Sequence, residues 1–89
     1  MRAIVTVIGS DRTGIIAAVS AALAKSNVNI LDINQTVMQD VFSMVMLVDL
    51  SHLTTQYQEF KALLEQTGLE LGMTIYVQRE DIFLAMHRI

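Results

Sequence analysis

Val7-Ile8-Gly9-Ser10-Asp11-Arg12-Thr13-Gly14-Ile15-Ile16 changes character in its middle. A β-branched run stops at Gly9, a short polar turn follows, and beyond Gly14 the apolar residues recur with helical spacing. A strand therefore feeds through a glycine-bounded loop straight into a helix. The first N–H groups of such a helix lack intrahelical acceptors and carry the positive end of its dipole. A small anion such as a carboxylate is held well there. The loop is a place to bind something, and it carries no evident machinery for transforming it.

The flanking segments extend this reading. Ala3–Ile8 is a strand by its β-branched content, apolar on both faces, which suits the centre of a sheet. Thr13 to about Ser26 reads as a helix, with Ile15, Ile16, Val19, Ala22 and Leu23 on one stripe. Asp11 or Thr13 is expected to cap its start, and Ser26-Asn27 to end it. Val28–Met38 is a second strand, in which Asp32, Asn34 and Thr36 alternate with Leu31, Ile33 and Val37. Gln39-Asp40 reads as a tight hairpin turn without the usual glycine. Val41–Leu50 is a third strand, again apolar on both faces.

Ser51 or Thr54 is expected to start a second helix, with Tyr57, Phe60, Leu63, Leu64 and Thr67 on its stripe and Gly68 as its stop. Leu69–Gln78 then reads as a fourth strand, in which Gly72 marks a bulge or a close backbone approach. Arg79–Ile89 reads as a short helix with Ile82, Phe83, Met86 and Ile89 on one side.

The order β-α-β-β-α-β predicts an α+β fold: a ferredoxin-like βαββαβ sandwich, with a four-stranded antiparallel sheet, two helices on one face and a short C-terminal helix. Right-handed crossovers place strands one and three in the middle, and these are the two strands apolar on both faces. The terminal helix or a partner chain must cover part of the other sheet face.

Composition bounds the function. Eighty-nine residues read as a single domain over 1–89. A chain of this size buries only about 60 to 65 per cent of its unfolded surface. Yet 53% of the residues are hydrophobic and only 17% charged, against usual values of about 45–50 and about 25 per cent. That surplus predicts cover by another copy or another protein. The net charge is −3 and the six basic residues are scattered, so no row of phosphates finds a basic patch and nucleic acid is not an expected partner. With no cysteine, disulfides, thiolate metal sites and thiol nucleophiles are excluded. No apolar run approaches the roughly 20 residues of a membrane span, so no membrane partner is expected and the chain reads as cytoplasmic.

Gly9-Ser10-Asp11-Arg12-Thr13-Gly14-Ile15, then Val19-Ser20 and Leu23-Ala24, then Asn27-Val28-Asn29-Ile30, resembles the ACT domain, a small regulatory module that binds amino acids and related metabolites. The complete sequence, with its ending Ala85-Met86-His87-Arg88-Ile89, is similar to the stand-alone ACT proteins of the UPF0237 group. The resemblance implies a ligand between two domains, contacted by the turn after the first strand. It also implies an asparagine at the start of the second strand reaching in from a neighbouring copy. The matching turn is Gly9, Ser10, Asp11, Arg12, Thr13, Gly14 and Ile15, and the matching asparagine is Asn29. Asp11 stands where some members carry a ligand-contacting asparagine. An ionised Asp only accepts hydrogen bonds, so it favours a ligand ammonium and repels a carboxylate.

Read on their own, the residues of this turn suit a zwitterion. Gly14 allows close approach, the amides of Ile15 and Ile16 favour negative charge, Asp11 offers the opposite polarity, and Asn29 donates and accepts. The plainer reading is that Asp11 caps a helix and Gly14 lets it pack tightly, with nothing bound. Asp32 and Asn34 line the same cleft or, more simply, a solvated sheet face. Met38, Met44, Met46 and Met73 at strand spacing read as core or interface filling. His52 and His87 have no second ligand nearby in sequence, so no metal and no cofactor are expected.

Two functions follow. The first is a homodimeric or higher homo-oligomeric module that binds an amino acid-like molecule and regulates. The second is a protein-interaction subunit with no small ligand, supported by the apolar load of Phe83, Met86 and Ile89, whose protein partner the sequence does not identify. Catalysis is not expected. Acylphosphatase shares the sheet-and-helix plan, and Arg12 and Asn34 are present, but the loop spacing does not fit, and no Ser-His-Asp set or Gly-rich phosphate loop occurs.

Overall fold

The computed structural model of the protein describes residues 1–86. The chain runs β1 (Arg2–Ser10), α1 (Ile15–Lys25), β2 (Asn29–Met38), β3 (Val41–Asp49), α2 (Tyr57–Leu71), β4 (Thr74–Arg79) and α3 (Glu80–Met86). The four strands form one antiparallel sheet in the order β2-β3-β1-β4. This is the expected ferredoxin-like sandwich, with strands one and three inside. No helix among the described residues is long and apolar enough to cross a membrane.

Alternation along the inner strands decides where the core sits. Ala3, Val5 and Val7 of β1 and Phe42, Met44, Met46 and Val48 of β3 all point to the helix side and are buried. Ile15, Val19 and Leu23 of α1 and Phe60 and Leu64 of α2 close over them. Of the methionines, Met44, Met46 and Met73 are core, whereas Met38 is exposed. On the opposite face lie Ile4, Thr6, Val45, Leu47 and Tyr76, of which Val45 and Tyr76 remain exposed. α3 leaves β4 without a loop and packs against β1 and β4, fastened by an ion pair of 2.8 Å between Arg2 and Glu80. Ile82 is exposed on it, and the expected stripe residue Ile89 lies outside the described residues.

Four local expectations need correction. Neither Asp11 nor Thr13 caps α1. Gly14 is the N-cap, with φ 90 and no side-chain cap, and its carbonyl accepts the Ala18 N–H at 3.0 Å. The second helix starts later than Ser51 or Thr54, at Tyr57 after Gln56. The Ser51 hydroxyl is taken by Asp49 Oδ1 at 2.6 Å, and the Thr54 N–H is donated to the Ser26 carbonyl at 3.2 Å. Gly68 does not stop α2 but lies buried inside it, where a Cβ would stand 2.9 Å from the Met73 carbonyl. The stop is Gly72, with φ 70, so Leu69–Leu71 are helical and the last strand begins at Thr74.

The Gln39-Asp40 hairpin forms as expected, with Gln39 taking the left-handed conformation at φ 57. β2 is an edge strand that overhangs the helices. Ile33 and Val37, paired with the core residues Met46 and Phe42, nevertheless stay 44% and 48% exposed. The break in register between Ile30 and Asp32 leaves Leu31 exposed as well.

Candidate functional site

The turn between β1 and α1 takes its shape from three contacts. Gly9 lies against Met73, so that a Cβ there would meet the Met73 sulfur at 2.6 Å. The Asp11 N–H donates to the Asp40 carbonyl at 2.8 Å, which ties the turn to the β2–β3 hairpin. Arg12 Nη1 donates to the Leu71 carbonyl at 2.8 Å, which ties it to the end of α2. Gly14, with φ 90, then reverses the chain into α1, a conformation that other residues adopt at a cost.

Beside this turn opens a cleft of about 320 Å³. One wall is Asp11, Arg12, Gly14 and the first turn of α1, from Ile15 to Ala17. The other is Gln35 and Val37 of β2, with Phe42 behind them. A Cβ built on Gly14 would meet nothing within 4 Å, so the glycine leaves open space at the helix start. The first amides of α1 have no acceptor of their own within the helix, and no acidic residue occupies its first turn. Donors that favour an anion and an acidic side chain that favours a cation thus stand at one cleft.

Of the expected ligand residues, the structure brings Asp11, Arg12, Gly14 and Ile15 to this cleft. Gly9, Ser10 and Thr13 do not line it. Asn29 lies elsewhere in the chain, at the far end of β2, beside Val28, Asn27 and His52. Asp32 and Asn34 pair with Leu47 and Val45 on the open sheet face, as the simpler reading had it. Gln35, Val37 and Phe42 were missed. Gln35 carried one signal: it shares the parity of Ile33 and Val37, so it is a polar residue on the helix side of an edge strand.

A hollow of similar size, about 340 Å³, lies along β4 between Tyr76, Gln78 and the α2 pair Lys61 and Glu65. It opens onto the middle of α2, where backbone N–H groups are spent within the helix, so α2 offers it no free backbone donors. Among the described residues no group of three or more His, Cys, Asp or Glu is placed to hold a metal.

The family model of the ACT domain matches residues 2–78. The chain belongs to the ACT-domain family. A UPF0237 protein of Methanocaldococcus jannaschii is 53% identical over 99% of this chain and 98% of its own length. An ACT domain protein from Streptococcus pneumoniae superposes with a TM-score of 0.81 at 37% identity, covering 93% of each chain. The regulatory subunit of aspartate kinase from Thermus thermophilus, in a ligand-free form, matches with a TM-score of 0.68 at 28% identity, over 86% of this chain and 50% of that one. ACT domains are regulatory modules that often bind amino acids. In this ACT domain the cleft lies beside the turn that carries the family resemblance.

Proposed function

We propose that the protein is a regulatory, non-catalytic module that binds an amino acid-like zwitterion in the cleft at Gly14 and works as a cytoplasmic homodimer. The observation that carries the reading is the open space at Gly14, where the first turn of α1 and Asp11 line one cleft. The amides suit a carboxylate and Asp11 suits an ammonium. The likeness to a regulatory subunit of aspartate kinase supports the regulatory part.

The unpaired edge of β2 supports the dimer. It runs along the cleft and exposes Leu31, Ile33 and Val37, with Ile16 of α1 above them. Such an edge is a template for pairing with another chain. Two copies joined antiparallel along β2 by a two-fold axis set the start of one strand against the end of the other. The partner subunit's Asn29 then comes to the end of β2 that runs along the cleft, which Asn29 of the same chain does not reach. A ligand seated there bridges two chains and stabilises the pair.

Isothermal titration with the common amino acids tests the ligand, and light scattering tests the dimer. The reading expects saturable heat in the millimolar range or tighter from at least one amino acid, and a dimer mass. Absence of heat from every amino acid removes the ligand, and a monomer removes the shared site. The second reading, an interaction subunit with no small ligand, draws on the exposed Ile82 and Leu84 of α3 and Tyr76 of β4. It becomes the better one if titration is silent and the chain captures a protein from native cells.

A further inference from the structure

α2 ends in a paired turn. The Gly72 N–H donates to the Leu69 carbonyl at 3.2 Å and the Met73 N–H to the Gly68 carbonyl at 2.8 Å. Such a turn satisfies carbonyls one turn back and leaves the last carbonyl to an outside donor. That carbonyl belongs to Leu71, and its donor is Arg12, from the cleft turn. The guanidinium also carries positive charge to the negative end of the α2 dipole.

The Leu71 carbonyl uses one N–H of Arg12, and no other hydrogen bond or ion pair of Arg12 is found among the described residues. The Nε–Nη2 edge keeps the parallel N–H pair that a carboxylate accepts as a fork. Arg12 lines the cleft as well. The geometry points to Arg12 as a positioning residue that couples the cleft to the α2–β4 junction. Its Nη1 holds the Leu71 carbonyl, and its other edge is open to a carboxylate in the cleft. A filled cleft immobilises the guanidinium and tightens the junction from which β4 and α3 depart. Coupling of this kind is reciprocal, so disturbing the junction loosens the turn. The ligand part of this inference rests on the binding reading above, and the coupling itself does not.

Amide hydrogen exchange on the whole chain separates the two. In the free protein, Arg12→Gln speeds exchange at Gly72 and Met73, by about two- to fivefold for the loss of one exposed charge-assisted bond. Gly72→Ala strains the left-handed junction and speeds exchange at Asp11, whose N–H holds the Asp40 carbonyl, in return. Gly72→Asn, which tolerates that conformation, restores the slow rates. The double variant Arg12→Gln/Gly72→Ala adds little to either single one. A turn unmoved by Gly72→Ala, or fully additive effects, overturns the coupling.

Glycine and L-serine serve as probes of the filled state. In the wild type a bound probe slows exchange at Gly72 and Met73. In Arg12→Lys, which keeps the charge without the fork, it protects the turn and leaves the junction unchanged. A probe that protects the turn while the wild-type junction stays the same or loosens overturns the coupling and leaves binding intact. If neither probe binds, the variants of the free protein still decide the coupling.

Discussion

The backbone of Met73 meets Gly68 twice. Its N–H donates to the Gly68 carbonyl at 2.8 Å, and its own carbonyl sits where a Cβ on Gly68 would come within 2.9 Å. Ile75 crowds the same point, also at 2.9 Å. α2 therefore lies on β4 at a distance that only a glycine permits.

Gly68→Ala pits two effects against each other. Helix propensity favours alanine by about 1 kcal/mol. Overpacking against a backbone carbonyl and a buried side chain costs about 1–3 kcal/mol. The carbonyl cannot rotate away, so the second effect wins and the variant melts several degrees lower. Thermal unfolding followed by circular dichroism checks the sign, and a rise in Tm contradicts the close approach.

Gly14→Ala meets open space but a forbidden backbone, with φ 90. The expected loss is about 1–2 kcal/mol, and Gly14→Asn loses less, because asparagine tolerates positive φ. Alanine and asparagine both narrow the cleft, so both weaken any amino acid that binds there. Stability that tracks residue type while affinity falls for both separates the two roles of this glycine.

Acid stability carries a mark of Asp49. Its carboxylate accepts both the hydroxyl and the N–H of Ser51, and these bonds hold its pKa below the ordinary 3.8. A carboxyl with a lowered folded pKa stabilises the fold above its unfolded value, and that stability is lost as pH falls through the folded value. Ser51→Ala is therefore less stable than wild type at neutral pH, and the difference disappears in strong acid. Urea unfolding at both conditions measures it. A difference that grows in acid contradicts the assigned bonds.

Ile33 is exposed on the free edge of β2 and does not line the cleft. Ile33→Lys changes the stability of a single chain by no more than about 0.5 kcal/mol, as at other surface sites. Two such lysines facing each other across a β2–β2 junction repel, so light scattering is expected to show monomers. A dimer that survives the substitution is joined elsewhere.

The sequence showed the sheet order because β1 and β3 have apolar residues on both faces, which only inner strands need. It also showed the cleft turn, since a strand, two glycines and a helix in ten residues leave few geometries. It did not show which glycine ends α2. Gly68 and Gly72 are the same residue by composition, and only the Met73 carbonyl beside one and the left-handed backbone of the other divide them. The helix caps failed for a related reason: Ser51 is spent on Asp49, and Thr54 is tied to the end of α1. The far wall of the cleft, Gln35, Val37 and Phe42, comes from strands distant in sequence, and the parity of Gln35 is the one local sign of it.

The most direct measurement is a titration of the ¹⁵N-labelled chain with single amino acids, read by NMR at each backbone amide. Saturable shifts are predicted at Gly14 to Ala17 and, with the same midpoint, at Asn29, which lies at the far end of β2 in its own chain and meets the cleft only through a twin. Amides at Gly14 to Ala17 that stay still at every concentration, or that move while Asn29 does not, contradict a ligand shared between two copies.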